Sequence, residues 1–236
     1  FHYHSAQATG AAWASLFDGK SLSGWTASEN KESCRVEDGS IVVGGDRSHL
    51  FYSGAVGNHD FDDFELKLEV KTTPGSNSGI FFHTAYQEEG WPNQGYEAQV
   101  NQSHGDWRRT GSIYNVKDLR ETPAQDDQWF DYHVIVRGKQ ITVKVNGETV
   151  NDYTEPDDVQ PPADRPNRKL SHGTIALQAH DPGSTVYYRN IRIKLPPSAT
   201  AQPTPIASGT TSSTKCRSKR CCPKGKRRLF RRKCRR

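Results

Sequence analysis

From Phe61 to Lys71 the chain reads FDDFELKLEVK. Phe64, Leu66, Leu68 and Val70 alternate with Glu65, Lys67, Glu69 and Lys71. That period of two places apolar side chains on one face of a strand and charged ones on the other. A chain built from such stretches must bury a sheet face, and similar runs recur along its length. They fall at 34–37, 40–43, 48–53, 79–84, 95–101, 112–116, 129–137, 140–145, 148–153, 173–180 and 185–194. Turn signals separate them about every 8–12 residues. Asp38-Gly39 and Asn146-Gly147 are dipeptides that tight hairpins prefer because they tolerate positive φ. About a dozen strands without a convincing helix predict an all-β sandwich of two antiparallel sheets over residues 14–195.

The flanks are of other kinds. Residues 1–13 have no period and read as an N-terminal arm; His2 and His4 there fit a flexible terminus better than a metal site. Residues 196–214 form a Ser/Thr/Pro linker that cannot pack a core, and residues 215–236 are a basic Cys-rich tail. Lys215–Arg236 holds 13 of the 32 Lys and Arg residues and no acid, leaving 19 basic against 27 acidic residues elsewhere, a net of −8. The acidic body and basic tail point to a tail that binds a polyanion or an acidic protein surface, a neighbouring copy in a homo-oligomer or assembly included. Nucleic-acid recognition is not indicated, since the tail has one aromatic, Phe230, and no motif accompanies it. Cys216, Cys221, Cys222 and Cys234 are disulfide candidates, with three possible connectivities, and Cys34 reads as a buried free thiol. The chain contains no methionine and begins at Phe1, from which we expect a processed, exported precursor: secreted, periplasmic or at the cell surface.

Residues 74–101 concentrate polar groups with chemistry. On the strand at 95–101, Tyr96, Ala98 and Val100 share one face while Glu97, Gln99 and Asn101 share the other. On the preceding strand the same alternation puts Phe81 and His83 opposite Ile80 and Phe82. The late strand at 173–180 places Gln178 and His180 together. If these faces belong to one sheet, His83, Glu97, Gln99, Gln178 and His180 converge. Trp91, Trp107, Arg108 and Tyr114 fall in adjoining loops, where aromatic rings would stack on pyranose C–H groups as a rim. Asn101-Gln102-Ser103 is also a glycosylation triplet, of a kind that is usually accidental.

Several blocks, in order, resemble the 3-keto-disaccharide hydrolase domain family: SLFDGKSLSGW, SNSGIFFH, GYEAQV, GSIYNV, WFDYHVIVRGKQITVKVNGETVNDY and GTIALQAHDPGSTVYYRNIRIK. The resemblance covers about residues 14–195. It implies a concanavalin A-like jelly roll whose concave face accepts carbohydrate, and a bacterial exported setting. Members of that family often read LQDHG near the end, where this chain has Leu177-Gln178-Ala179-His180-Asp181, so the acid follows the histidine instead of preceding it.

Ordinary glycoside hydrolysis needs two carboxyl groups flanking the bond. Glu97 is one; Asp106 and Asp181 are loop candidates for a second. A sugar oxidised at C3 has an acidified C2 hydrogen, so a single base can remove it and expel the C1 substituent, after which water adds back. The resemblance thus implies a 3-keto-glycoside hydrolase or lyase with Glu97, His83 and His180 as catalytic candidates. Gln99, Gln178, Tyr114, Trp107, Arg108 and Trp91 would bind substrate, and a divalent metal on His83, Glu97 or His180 would polarise the ketone. The alternative is a non-catalytic glycan-binding or structural subunit attached through the tail.

Overall fold

The computed structural model describes residues 12–196. The N-terminal arm up to residue 11, the linker from 197 onward and the basic tail with its four cysteines lie outside them. Thirteen strands follow one another: β1 (Ala14–Ser15), β2 (Trp25–Ala27), β3 (Cys34–Glu37), β4 (Ser40–Gly44), β5 (Ser48–Tyr52), β6 (Phe64–Thr72), β7 (Ser78–Thr84), β8 (Tyr96–Val100), β9 (Phe130–Arg137), β10 (Gln140–Val145), β11 (Glu148–Thr154), β12 (Thr174–Ala179) and β13 (Thr185–Lys194). The helical elements among the described residues are short 3-10 turns at Lys31–Ser33 and Val56–His59. The two expected hairpins form, with Asp38 and Asn146 at φ 44° and 52°, ahead of Gly39 and Gly147 at 75° and 83°.

The strands make two antiparallel sheets. The larger has the order β11-β10-β9-β6-β13-β4-β3, with β1 beside the end of β13; the smaller has the order β2-β5-β12-β7-β8. The alternation on β6 is realised residue by residue: Phe64, Leu66, Leu68 and Val70 are buried and the residues between them half-buried. They meet Leu50, Ile80, Phe82, Tyr96, Ala98 and Leu177 from the smaller sheet in one core. Each fully buried Val, Leu, Ile or Phe there contributes about 1.5–3 kcal/mol. Cys34 packs into this core as a free thiol, and burial raises its pKa to about 11.

The two sheets differ in how they treat their outer faces. On the larger sheet, outward residues of β6 and β9 are partly exposed. On the smaller sheet every residue of β5, β7, β8 and β12 is buried, on both faces. Loops cover the outer face, and the polar residues of that face are thus enclosed.

Two expectations need correction. Residues 112–116 do not form a strand: Ile113 makes isolated bridges to Ala98 and Lys117, and its amide bonds back to Lys117 O at 3.1 Å as in a turn. His83 also leaves the face assigned to it. The pairing of β12 with β7 runs Ile175 to Phe82 and Thr174 to Thr84, so His83 is the extra residue of a bulge, at φ 54°. The bulge turns its imidazole toward Phe64 and Phe82, with ring centroids at 5.9 and 5.7 Å.

Candidate functional site

The outer face of the smaller sheet is assembled from rows set by strand register. Phe81 pairs with Glu97 and with Ala176, which pairs with Phe51, giving the row Phe51, Ala176, Phe81, Glu97. In the next row His49 pairs with Gln178, and Gly79 with Gln99. Phe51, Phe81 and Ala176 form a small apolar cluster of their own. Glu97 stands against Gly79, where an added Cβ would overlap the carboxylate.

These rows floor a cleft of about 230 Å³ lined by Asn77, Phe81, Trp91, Glu97, Gln99, Tyr114, Arg165, Gln178 and His180. Glu97 is its central group. Burial raises the Glu97 pKa to about 7, against the pull of Arg168 and Arg165, which favour the carboxylate. Gln178 Nε2 points at Glu97 Oε1 across 3.4 Å, and Gln99 Nε2 donates to Asn77 Oδ1 at 3.0 Å. Both amides then keep a buried carbonyl, Gln99 Oε1 and Gln178 Oε1, that accepts no hydrogen bond from the protein. A carbonyl in that state is an acceptor for a ligand hydroxyl.

His180 sits at the mouth, its ring 5.4 Å from that of Trp91. Its Nδ1 lies 2.6 Å from Asp181 Oδ2. A carboxylate only accepts, so Nδ1 carries the hydrogen and Nε2 keeps its lone pair. Ser184 Oγ and the Gly183 amide also donate to Asp181, each at 2.8 Å. Burial raises the Asp181 pKa, but these bonds and the His180 contact outweigh it, and the group titrates below its ordinary value. The acid that follows the histidine in sequence therefore reaches it in space.

His104 completes a close group with His180 and Asp181, one atom of each within 4.8 Å of the others. Asp181 stands between the two rings. His104 Nδ1 accepts the Asp106 amide at 3.0 Å, so its Nε2 presents a hydrogen toward Asp181 Oδ2, 3.9 Å away. Both imidazoles therefore turn N–H groups toward one carboxylate. The metal candidates His83, Glu97 and His180 do not all meet in the cleft. His83 is held apart from Glu97 and His180, its Nε2 donating to Asp62 O at 2.8 Å and its Nδ1 accepting the Ser171 amide at 3.2 Å. Both nitrogens are engaged, and burial lowers its pKa.

Of the residues expected on sequence grounds, Glu97, Gln99, Gln178, His180, Tyr114 and Trp91 meet in the cleft. Trp107 and Arg108 do not line it. Trp107 lies between Arg108 and Arg120, whose guanidinium carbons are 4.9 and 4.3 Å from its ring. Arg108 Nε bonds Asp118 at 3.1 Å, and its guanidinium lies 4.8 Å from the Tyr114 ring, so it backs the cleft wall. Asp106 pairs with Arg108 at 3.3 Å and does not supply a second acid. Asn101 is fully buried, with Nδ2 donating to the carbonyls of Asp106 and Arg108 at 2.8 Å each, which closes the triplet to glycosylation.

Sequence reasoning missed Asn77, Arg165, Arg168 and His49. The arginines arrive on the proline-rich excursion 155–170, which has no period to announce it. Glu155 holds both of its ends: it accepts Tyr96 Oη at 2.6 Å and the Leu170 amide at 2.7 Å. Arg168 then donates to Tyr114 O. His49 lies fully buried beneath Trp91, its ring 5.6 Å from the indole, with neither nitrogen hydrogen-bonded, and burial lowers its pKa to about 3.

Fold and site together define a jelly-roll sandwich with a polar, partly aromatic cleft on its smaller sheet. The chain belongs to the family of 3-keto-alpha-glucoside-1,2-lyase-like domains, whose sequence model matches residues 12–194. It is 24% identical to a 3-keto-disaccharide hydrolase of Bacteroides thetaiotaomicron over 229 residues, covering 78% of each chain. A crystal structure from Parabacteroides distasonis, of a protein named only provisionally as a glycosyl hydrolase, superimposes with a TM-score of 0.65 at 23% identity, over 77% of this chain and 93% of that one. The carbohydrate-binding module CBM66 of Bacillus subtilis shares the fold at a TM-score of 0.52 and 13% identity, over 72% of this chain and 95% of the module.

Proposed function

We propose that the chain cleaves a 3-keto-glycosidic bond by elimination, followed by hydration. The observation that carries this reading is the pairing, in one cleft, of a buried carboxyl with a pKa of about 7 and an imidazole whose Nδ1 hydrogen is fixed by a carboxylate. His180 Nε2 takes the hydrogen from C2, which the C3 ketone acidifies. The C–H electron pair forms the C1=C2 double bond as the bond from C1 to the leaving oxygen breaks. That oxygen receives the Glu97 proton, released as an alcohol or a sugar. Water then adds across the double bond, its hydroxyl to C1 and a proton to C2, so the net change is hydrolysis. Arg165, lining the cleft, and Arg168, whose charge reaches Glu97, favour negative charge developing on the ketone oxygen. Gln99 Oε1 and Gln178 Oε1 accept substrate hydroxyls, and the Tyr114 and Trp91 rings border the sugar.

A general acid or base of this kind typically contributes about 10²–10⁴-fold to rate. Turnover of a 3-keto-glucoside should fall by that order in Glu97→Gln and in His180→Ala. Asp181→Asn should fall less and shift the pH profile, because it acts through the imidazole. Wild-type release of the aglycone with unchanged rates in all three variants would sink the assignment. Binding without turnover would instead favour the non-catalytic glycan binder, a role for which the shared fold with a carbohydrate-binding module offers a precedent.

A further inference from the structure

A second cavity, of about 640 Å³, opens on the same sheet face and shares no lining residue with the Glu97 cleft. The loop between β7 and β8 carries a ring to each cavity: Trp91 borders the cleft and Tyr86 the second space. The Gly90 amide of this loop bonds Glu29 Oε1 at 2.8 Å, on the far side of the sheet beyond β2. The loop therefore straps across the face.

We propose that this second cavity is a saccharide-binding site distinct from the cleavage cleft. Its floor is Phe51, against which the half-exposed Tyr86 stands edge-on with centroids 5.4 Å apart. Around these rings lie hydrogen-bonding groups of both senses. Asp60 Oδ1 pairs with His172 Nδ1 at 2.7 Å on an exposed rim. Thr26 and Ser53 share a hydroxyl contact of 2.9 Å. Thr84 Oγ1, on a residue 1% exposed that lines the cavity, has no hydrogen-bond partner. The rim is also strained, since the consecutive residues Asn58 and His59 hold φ of 53° and 48°.

The chemistry of the walls selects the ligand. A wholly apolar molecule would leave Thr84 Oγ1 without a partner and strip water from the Asp60–His172 pair, both of which cost free energy. An anion would find the His172 imidazole already engaged by Asp60. A cation would find that carboxylate already paired, because the Asp60 contact raises the proton affinity of His172. A neutral molecule with an apolar face and an edge of hydroxyls satisfies every element, and that is a sugar ring. The proposal is independent of the cleavage reading, because none of its residues acts in that reaction.

Titration calorimetry of the full chain with methyl α-glucoside, maltose and maltotriose tests it. Tyr86 is 50% exposed and the Asp60 side chain 55% exposed, so Tyr86→Ala and Asp60→Asn should fold normally. Saturable binding of maltotriose is expected, weakened at least tenfold in each of these variants and within twofold of wild type in Arg165→Ala, on the cleft side. Binding that is lost in Arg165→Ala but kept in Tyr86→Ala would place the sugar in the cleft and overturn the proposal. So would the absence of saturable binding for all three saccharides at millimolar concentration, whether or not a 3-keto-glucoside is cleaved.

Discussion

Glu97 carries a physical signature that can be tested apart from any substrate. In the unfolded chain a glutamate titrates near 4.5, whereas folded Glu97 holds its proton to about 7 because burial penalises the charge. Between those values the folded state binds a proton that the unfolded state has released. The native protein thus loses stability as pH rises through this window, by on the order of 3 kcal/mol once the window is crossed. Glu97→Gln removes that dependence. Urea unfolding of wild type and Glu97→Gln at pH 5 and pH 8 should show the variant gaining relative stability at the higher pH, and parallel curves would refute the raised pKa. Turnover by the wild type should also decline above about pH 7, as the acid that protonates the leaving oxygen is lost. Gly79 supports the same residue by its lack of a side chain. Gly79→Ala should displace the carboxylate, lowering kcat/KM while the core beneath, built by Ile80 and Ala98, stays packed.

At the scale of elements, the strands were legible because period-two patterning and turn dipeptides are local signals. Glu97, Gln99 and Gln178 share a face because alternation survives wherever register is regular. His83 shows where that logic fails. A single inserted residue reverses the face, and nothing in SNSGIFFH distinguishes a bulged histidine from a regular one. The contact of Asp181 with His180 is hidden for a related reason: its distance depends on a bend beyond the end of β12, not on spacing along a strand. The excursion 155–170 was illegible altogether, since its course is fixed by long-range bonds. Glu155 is the most economical point at which to disturb it. Glu155→Ala leaves Tyr96 Oη and the Leu170 amide without their acceptor, at a cost of about 1–3 kcal/mol. Loss of stability by denaturant titration should accompany a rise in KM, because Arg165 and Arg168 lose their anchor. A stability loss with unchanged kinetics would show that the arginines are held by other contacts.

For the whole molecule the governing fact is the separation of charge along the chain. Thirteen Lys and Arg residues lie between 215 and 236, while the rest of the chain carries a net −8. A uniform net charge of +5 would give weak, diffuse attraction to a polyanion, whereas concentration of the positive charge into one short segment should make any such attraction local and strong. The cleft chemistry does not call on these residues, since every group assigned to it lies between Asn77 and Asp181. The expectation is therefore separable. On a sulfated polysaccharide resin the full chain should be retained at about 0.1 M salt, where the screening length is near 10 Å, and released towards about 1 M, where it shrinks to about 3 Å. A chain ending at residue 196 should pass through unretained at every salt concentration, its acidic surface repelled by the resin, while its rate on a soluble 3-keto-glucoside stays within twofold of the full chain. Equal retention of the two would mean that the body itself holds the polyanion. A fall in turnover on truncation would tie the tail to the cleft, against the division of labour that the charge pattern implies.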